Sequence, residues 1–441
     1  MTRNLLGWVF RPLTRSTFLV LLGACLVLRI YLAFDPGYVN DMEMYKQWAV
    51  NSALNGLASA YETTSIDYPP LFLYVLYGVG KLYLALAGTA AEPGIVPDSA
   101  MLTLLVKTPH LIADLLLGWL LYRLVGRNGL WGATRSGSGW GRLAAVLYLW
   151  NPAVLFGSAY WGQPDGIHSL MAIAALSLLV QERMVASGAA LSAASLMKPL
   201  AAPLVPLMAL TAVVRKRWHG ALGAGLGGLT AAVAAFLPFI LTGRIEGVLR
   251  KVLLDVEAMP FTSANGHNLW WILGAWRDAN APVLGPLSPK LLGLLLFGTV
   301  YLFLLLRSGT WLPSRRLSPA DYGARMFVLA AAVTVTFFFL STHMHENHLF
   351  MALPLLIAVA GRSRSLGRLA VACGLAIFVN MVLHDPELPH RLPGLLSALS
   401  PFDDPHLGRY TWLQVVGSFF NSVLVGAIAY RTCAAAWRGA A

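Results

Sequence analysis

Residues 16–34 read "STFLVLLGACLVLRIYLAF", and residues 40–48, just beyond them, read "NDMEMYKQW". The first stretch is a continuous apolar run of about the length an α-helix needs to cross a bilayer. Runs of this kind recur through the 441 residues, and the chain is 57% hydrophobic, 12% charged, with a mean hydropathy of +0.64. Soluble globular chains are less apolar. A transmembrane β-barrel would show short alternating strands where this chain shows continuous runs. The expected class is therefore an all-α polytopic membrane protein. The second stretch sets Asp41 and Glu43, then Tyr45, Lys46 and Trp48, where the chain leaves its first span.

The net charge of +12 is carried by short loops: Arg123, Arg127, Arg135 and Arg142; Arg215, Lys216 and Arg217; Arg307, Arg315, Arg316 and Arg325; Arg362, Arg364 and Arg368. That is the pattern of cytoplasmic loops between spans. No basic soluble domain exists to bind nucleic acid, so that function class is excluded. Cys25, Cys373 and Cys433 form no disulfide or zinc pattern. The basic start "MTRNLLGWVFRPLTR" lacks a small-residue cleavage site after its apolar run, which predicts a retained first helix. The absence of any Asn-X-Ser/Thr sequon favours a bacterial plasma membrane over the endoplasmic reticulum.

With the basic loops inside, spans are expected at 16–34, 102–125, 143–160, 165–182, 184–197, 199–214, 220–241, 286–307, 325–341, 349–361, 366–383 and 410–430. That makes about twelve crossings. The division is a single integral membrane domain over 1–441: an outer loop at 35–100, core helices at 102–241, an outer loop at 242–285 and C-terminal helices at 286–441. Parity leaves 70–89, "PLFLYVLYGVGKLYLALAGT", to lie at the outer interface, as its tyrosines suit. The ionisable residues then gather at the outer rim, including Asp67, Arg244, Arg250, Lys251 and Asp255.

Five motifs carry the chemistry. Asp41-Met-Glu43 would point both acids one way only on a strand; on a helix they diverge by about 200°. One of them would then face a site as a general base toward an acceptor hydroxyl, or be a solvated loop acid. "DYPPLFLY" holds Tyr68 extended before proline and sets Asp67 near a helix start. Lys107, His110 and Asp114 share one helix face, so Lys107 either pairs with Asp114 or meets an anionic substrate group. "AYWGQPDG", 159–166, is a tight outer turn that presents Gln163 and Asp165, with Trp161 as an interfacial anchor. Acids, amides and aromatics together suit a hydroxyl-rich ligand, and Tyr68, Trp161, Gln163 and Asp165 are the candidate sugar or acceptor contacts. "HMHENHLF", 343–350, offers His343, His345 and Glu346 for a phosphate, for a metal, or as plain interfacial polar groups. Lys198, beside Pro199, either aims its ammonium inward or snorkels.

In this order these motifs, with "KTPHLIADLLL", "GQPDGIH" and "SLMKPLA", resemble the C-type membrane glycosyltransferases. The nearest likeness is to the dolichyl-phosphate-glucose-dependent glucosyltransferases of asparagine-linked glycan assembly. The resemblance covers about residues 30–355. It implies inverting transfer of a hexose, glucose or mannose, from a polyprenyl monophosphate to a lipid-linked or envelope glycan at the outer face. It implies Asp41 as the general base with Glu43 in reserve. Lys107, Lys198, His343, His345 and Glu346 would lie at the donor phosphate. Cofactors and a divalent metal are not implied; the expected partners are the sugar-lipid donor, the glycan acceptor and membrane lipid. A lipid-linked sugar flippase is the alternative, though no internal repeat supports it. A metal-dependent oligosaccharide transferase acting on protein is a third reading.

Overall fold

The computed structural model describes residues 11–87, 99–253, 260–388 and 412–439. Asp255 and most of the Pro-rich stretch 384–408 lie outside the described residues. The described chain is helical, with three isolated β-bridges. Eight helices are long and apolar enough to cross a membrane, or nine if the pair Ser138–Leu149 and Pro152–Trp161, bent by 51°, is one span. The chain is thus a multi-pass membrane protein. About twelve crossings were expected. The difference lies in Asp165–Val180, Met184–Met197 and Ala352–Arg362, which are apolar but short, in Pro199–Leu241, which counts once where two spans were expected, and in Pro70–Ala87, which is added. At 1.5 Å per residue, helices of about eleven to sixteen residues fall below the ~30 Å of the hydrocarbon core. The long segment after the first span folds into the helices Val39–Asn55 and Pro70–Ala87, and the latter also has the length and composition of a span.

The chain divides into two compact units. One comprises Ser16–Leu120 with Val154–Ala258; the other comprises Met1–Arg15, Leu121–Ala153 and Met259–Ala441. In the first, helix Val39–Asn55 packs on Pro70–Ala87 at Gly80, where a Cβ would run into the Ala49 carbonyl. Met184–Met197 packs on Val205–Leu241 the same way, with Gly188 and Gly227 against opposing backbone. Small residues at the crossing are what helix pairs in lipid need, because close van der Waals contact replaces the hydrophobic effect there. Tyr45, Trp48, Phe72, Leu76 and Val106 fill the core between these helices. The long Pro199–Leu241 segment breaks at Arg217 (φ 57°), within the basic turn where a boundary was expected. Arg215 and Lys216 there both hold Glu182, at 2.6 Å each.

In the second unit, helix Pro319–Leu340 is enclosed by Pro289–Ser308, Ala352–Ile357 and Trp412–Arg438. Its buried face is almost continuous from Tyr322 to Phe338. The basic loops of this unit are knitted together. Trp131 donates to the Ile357 carbonyl (3.0 Å) and Arg135 to the Gly361 carbonyl (2.7 Å). Arg362 donates to the Leu130 carbonyl and to Asp321 (2.5 Å each).

Candidate functional site

The acids after the first span lie on a helix, and they diverge as helix geometry requires. Asp41 is in the first turn of Val39–Asn55 and half-buried, while Glu43 is exposed. Asp41 accepts a hydrogen bond from the Gln163 side-chain amide. Gln163 is placed by the turn before it: Leu155–Trp161 is a π-helical turn closed by Gly162 at φ 87°, and the Gln163 N–H returns to the Gly157 carbonyl (2.8 Å). Widened turns of this kind are frequent at functional sites. Gln163 Oε1 accepts from Tyr45 Oη (3.5 Å), and Tyr45 Oη meets Tyr68 Oη (3.3 Å).

The cluster continues to Lys198, held extended (φ −153°, ψ 129°) at the break before Pro199. Its Nζ donates to Asp165 Oδ1 at 2.7 Å and sits 5.9 Å from the Tyr68 ring centroid. Lys198 and Asp165 are both buried. Burial pushes the Asp41 carboxyl up to about 7; the Lys198 charge and the Gln163 hydrogen bond oppose this, while Asp67 and Asp165 add to it. Burial alone would lower Lys198, but Asp165, Tyr68 and Asp41 keep it above its ordinary range, so it remains an ammonium. Burial also raises Tyr68, to about 12, so it remains a phenol. The site thus holds one firm ion pair, one carboxyl that titrates near neutrality, an amide and two phenols. That set can hydrogen-bond a ligand rich in hydroxyl or amino groups.

Lys107 serves the backbone beside this cluster. It is buried, and its Nζ donates to the carbonyls of Asp35 (2.7 Å), Ala159 (3.2 Å) and Tyr160 (2.6 Å). It clamps the end of the first span to the π-helical turn. Asp114, one of the two partners expected for Lys107, binds Arg29 at 2.8 Å and accepts from Ser158. Arg29 was the missed residue; a lone arginine inside the 16–34 run was its signal, because a charge in a span normally finds a protein partner. His110, on the same face, packs near the Phe72 ring, 6.1 Å between centroids. Trp161 is fully buried and packs on Tyr38 (4.8 Å between centroids), so it is core where an interfacial anchor was expected.

His343, His345 and Glu346 belong to the other unit. They come after helix Pro319–Leu340, in a loop joined to residues 261–278 by the bridge Ser263↔Met344; Phe261↔Asp278 closes that stretch on itself. His343 has φ 64° and bonds Thr342 Oγ1 through Nδ1 (2.9 Å). Burial and the nearby Lys290 hold it below its ordinary range, and Asp278 opposes them. The His345 ring lies against His348, 4.9 Å between centroids, and Glu346 is buried. Among the described residues, no three His, Cys, Asp or Glu side chains converge as metal ligands.

The family model described as "GPI transamidase subunit PIG-U" matches residues 47–271, just over half of the chain. No curated protein matches the chain. The match spans Tyr68, Lys107, Gln163, Asp165 and Lys198, and begins six residues after Asp41. It overturns three expectations. The family is named for a transamidase subunit, so hexose transfer from a polyprenyl phosphate, the glycosyltransferase assignment and the sugar-lipid donor and glycan acceptor as partners are all corrected. The likeness to dolichyl-phosphate-glucose-dependent enzymes and the bacterial plasma membrane find no support in it either. The cluster itself suggested the other chemistry. A carboxylate beside amide, phenol and ammonium is compatible with transfer to a hydroxyl and equally with holding a polar head group.

Proposed function

The chain belongs to the PIG-U family, and on that basis we propose that it is a membrane subunit of a transamidase-type complex that joins proteins to a glycolipid anchor. Its partners are then other protein subunits. The family match over 47–271 carries this reading. Transamidation replaces the amine of one amide by another amine, and in anchor attachment the incoming amine belongs to the lipid. The complex therefore has to hold a hydroxyl- and amine-bearing head group at the membrane rim. The cluster Asp41, Tyr45, Tyr68, Gln163, Asp165 and Lys198 supports such a role. Asp41 and Gln163 would take amino and hydroxyl groups, and the Tyr45 and Tyr68 rings would offer a wall. Asp41 is here a binding group, and the Lys198–Asp165 pair its support.

Affinity purification of the tagged full chain from its native membranes in mild detergent tests the reading. The expected result is co-purification of further membrane subunits in fixed ratio, with anchor-attachment activity in the assembly. A chain that purifies alone from those membranes, with the activity left in the remaining fractions, would overturn it.

A further inference from the structure

We infer that the helix Arg364–Leu383 carries a binding site for an anionic phospholipid of the surrounding leaflet, with Arg364 and Arg368 on the phosphate and Val371 and Leu375 along the acyl chain. The stripe is read from exposure. From 364 to 377 the exposed positions are Arg364, Ser365, Arg368, Val371 and Leu375; all others are buried except the half-buried Ala372. At 100° per residue, 364, 368, 371 and 375 fall within about 60° of one another. Val371 and Leu375 are 55% and 51% exposed, in a helix otherwise packed into the unit. An apolar strip therefore runs unbroken into two guanidinium groups.

Neither arginine side chain has a hydrogen bond or ion pair among the described residues. The nearby Arg362 is committed to Leu130 and Asp321, and Ser363 caps the helix by accepting from the Leu366 N–H (3.2 Å). The turn that presents Arg364 is thus pinned, while Arg364 and Arg368 are exposed, with no counter-charge paired to them among the described residues. Asp321, the acid of this loop cluster, is already held by Arg362. Guanidinium groups bind phosphate oxygens as a planar fork. From Arg368 to Leu375 the axial rise is about 10 Å, well within one leaflet of a ~30 Å hydrocarbon core. A soluble phosphate would use the arginines and leave the strip bare; a diacyl lipid uses both. This inference stands apart from the proposed function and uses none of its site residues.

The test is lipid competition on the purified full chain in nanodiscs, read by native mass spectrometry, with phosphatidylglycerol against phosphatidylcholine. Wild type is expected to retain phosphatidylglycerol preferentially. Arg364→Gln with Arg368→Gln should lower that preference about tenfold or more, since each basic residue near an anionic surface contributes a comparable factor. Arg364→Lys with Arg368→Lys should keep most of it. Arg315→Gln with Arg316→Gln, which removes the same charge from a loop that lacks the apolar strip, should lower it clearly less. Thermal unfolding in phosphatidylcholine alone checks that the variants fold alike. Equal retention of both lipids by wild type would overturn the inference. So would an equal loss in the Arg315/Arg316 variant, which would reduce the effect to bulk charge. Full displacement of the lipid by soluble glycerophosphate would also overturn it.

Discussion

Asp41 and Lys198 behave differently although both are drawn into one cluster. Lys198 has a close partner, Asp165 at 2.7 Å, whereas Asp41 has an amide and two neighbouring acids, and its carboxyl is pushed up to about 7 by burial. An acid with a raised folded-state pKa binds its proton more tightly folded than unfolded. Stability should therefore fall as pH rises from about 4 to about 7 and level off above. Asp41→Asn removes that titration: Tm measured against pH should lose this slope, with the variant gaining most over wild type above pH 7. An unchanged slope would show that Asp41 is not the group responsible. Lys198→Met leaves Asp165 buried without its ammonium and should cost about 3–5 kcal/mol. Adding Asp165→Leu should recover a large part of it. Purely additive losses in the double variant would mean that the pair is not coupled.

Among the elements, the π-helical turn Leu155–Trp161 decides the site, because it delivers Gln163 to Asp41 and ends against Lys107. Lys107→Met leaves the Asp35, Ala159 and Tyr160 carbonyls without that donor. An unsatisfied buried acceptor costs about 1–3 kcal/mol. The expected outcome is lower stability together with faster hydrogen exchange in 155–163, and protection equal to wild type there would contradict the clamp. Gly166→Ala should destabilise as well, since a Cβ there would lie 2.5 Å from Asp114 Oδ1, and Arg29 and Ser158 hold that carboxylate in place. Overpacking of this kind costs about 1–3 kcal/mol, and a Tm within about a degree of wild type would show that Asp114 can move. Much of this level was legible in the sequence. The divergence of Asp41 and Glu43, the break at 198–199 and the turn at 159–166 come from local rules of helix geometry and proline. The partners of Lys107 and Asp114 were not legible. A shared helix face says which residues are neighbours, but not that Arg29 from another span is nearer.

For the whole molecule, continuous apolar runs and the placement of arginine determine the class, a multi-pass helical membrane protein. The count of crossings was less legible. Hydropathy does not separate a short apolar helix buried in the protein from one that spans, and Asp165–Val180, Met184–Met197 and Ala352–Arg362 are the cases in point. Function was least legible, because the residue types of the cluster suit more than one chemistry; the family match over 47–271 sets hexose transfer aside.

The decisive measurement is complementation in membranes depleted of this chain, with covalent attachment of a reporter protein to its lipid anchor as the readout. Wild type should restore attachment. Asp165→Leu with Lys198→Met, a variant chosen to keep the fold and remove the buried pair, should restore assembly of the complex but little attachment. Full attachment in the depleted membranes, with no chain added, would contradict the account.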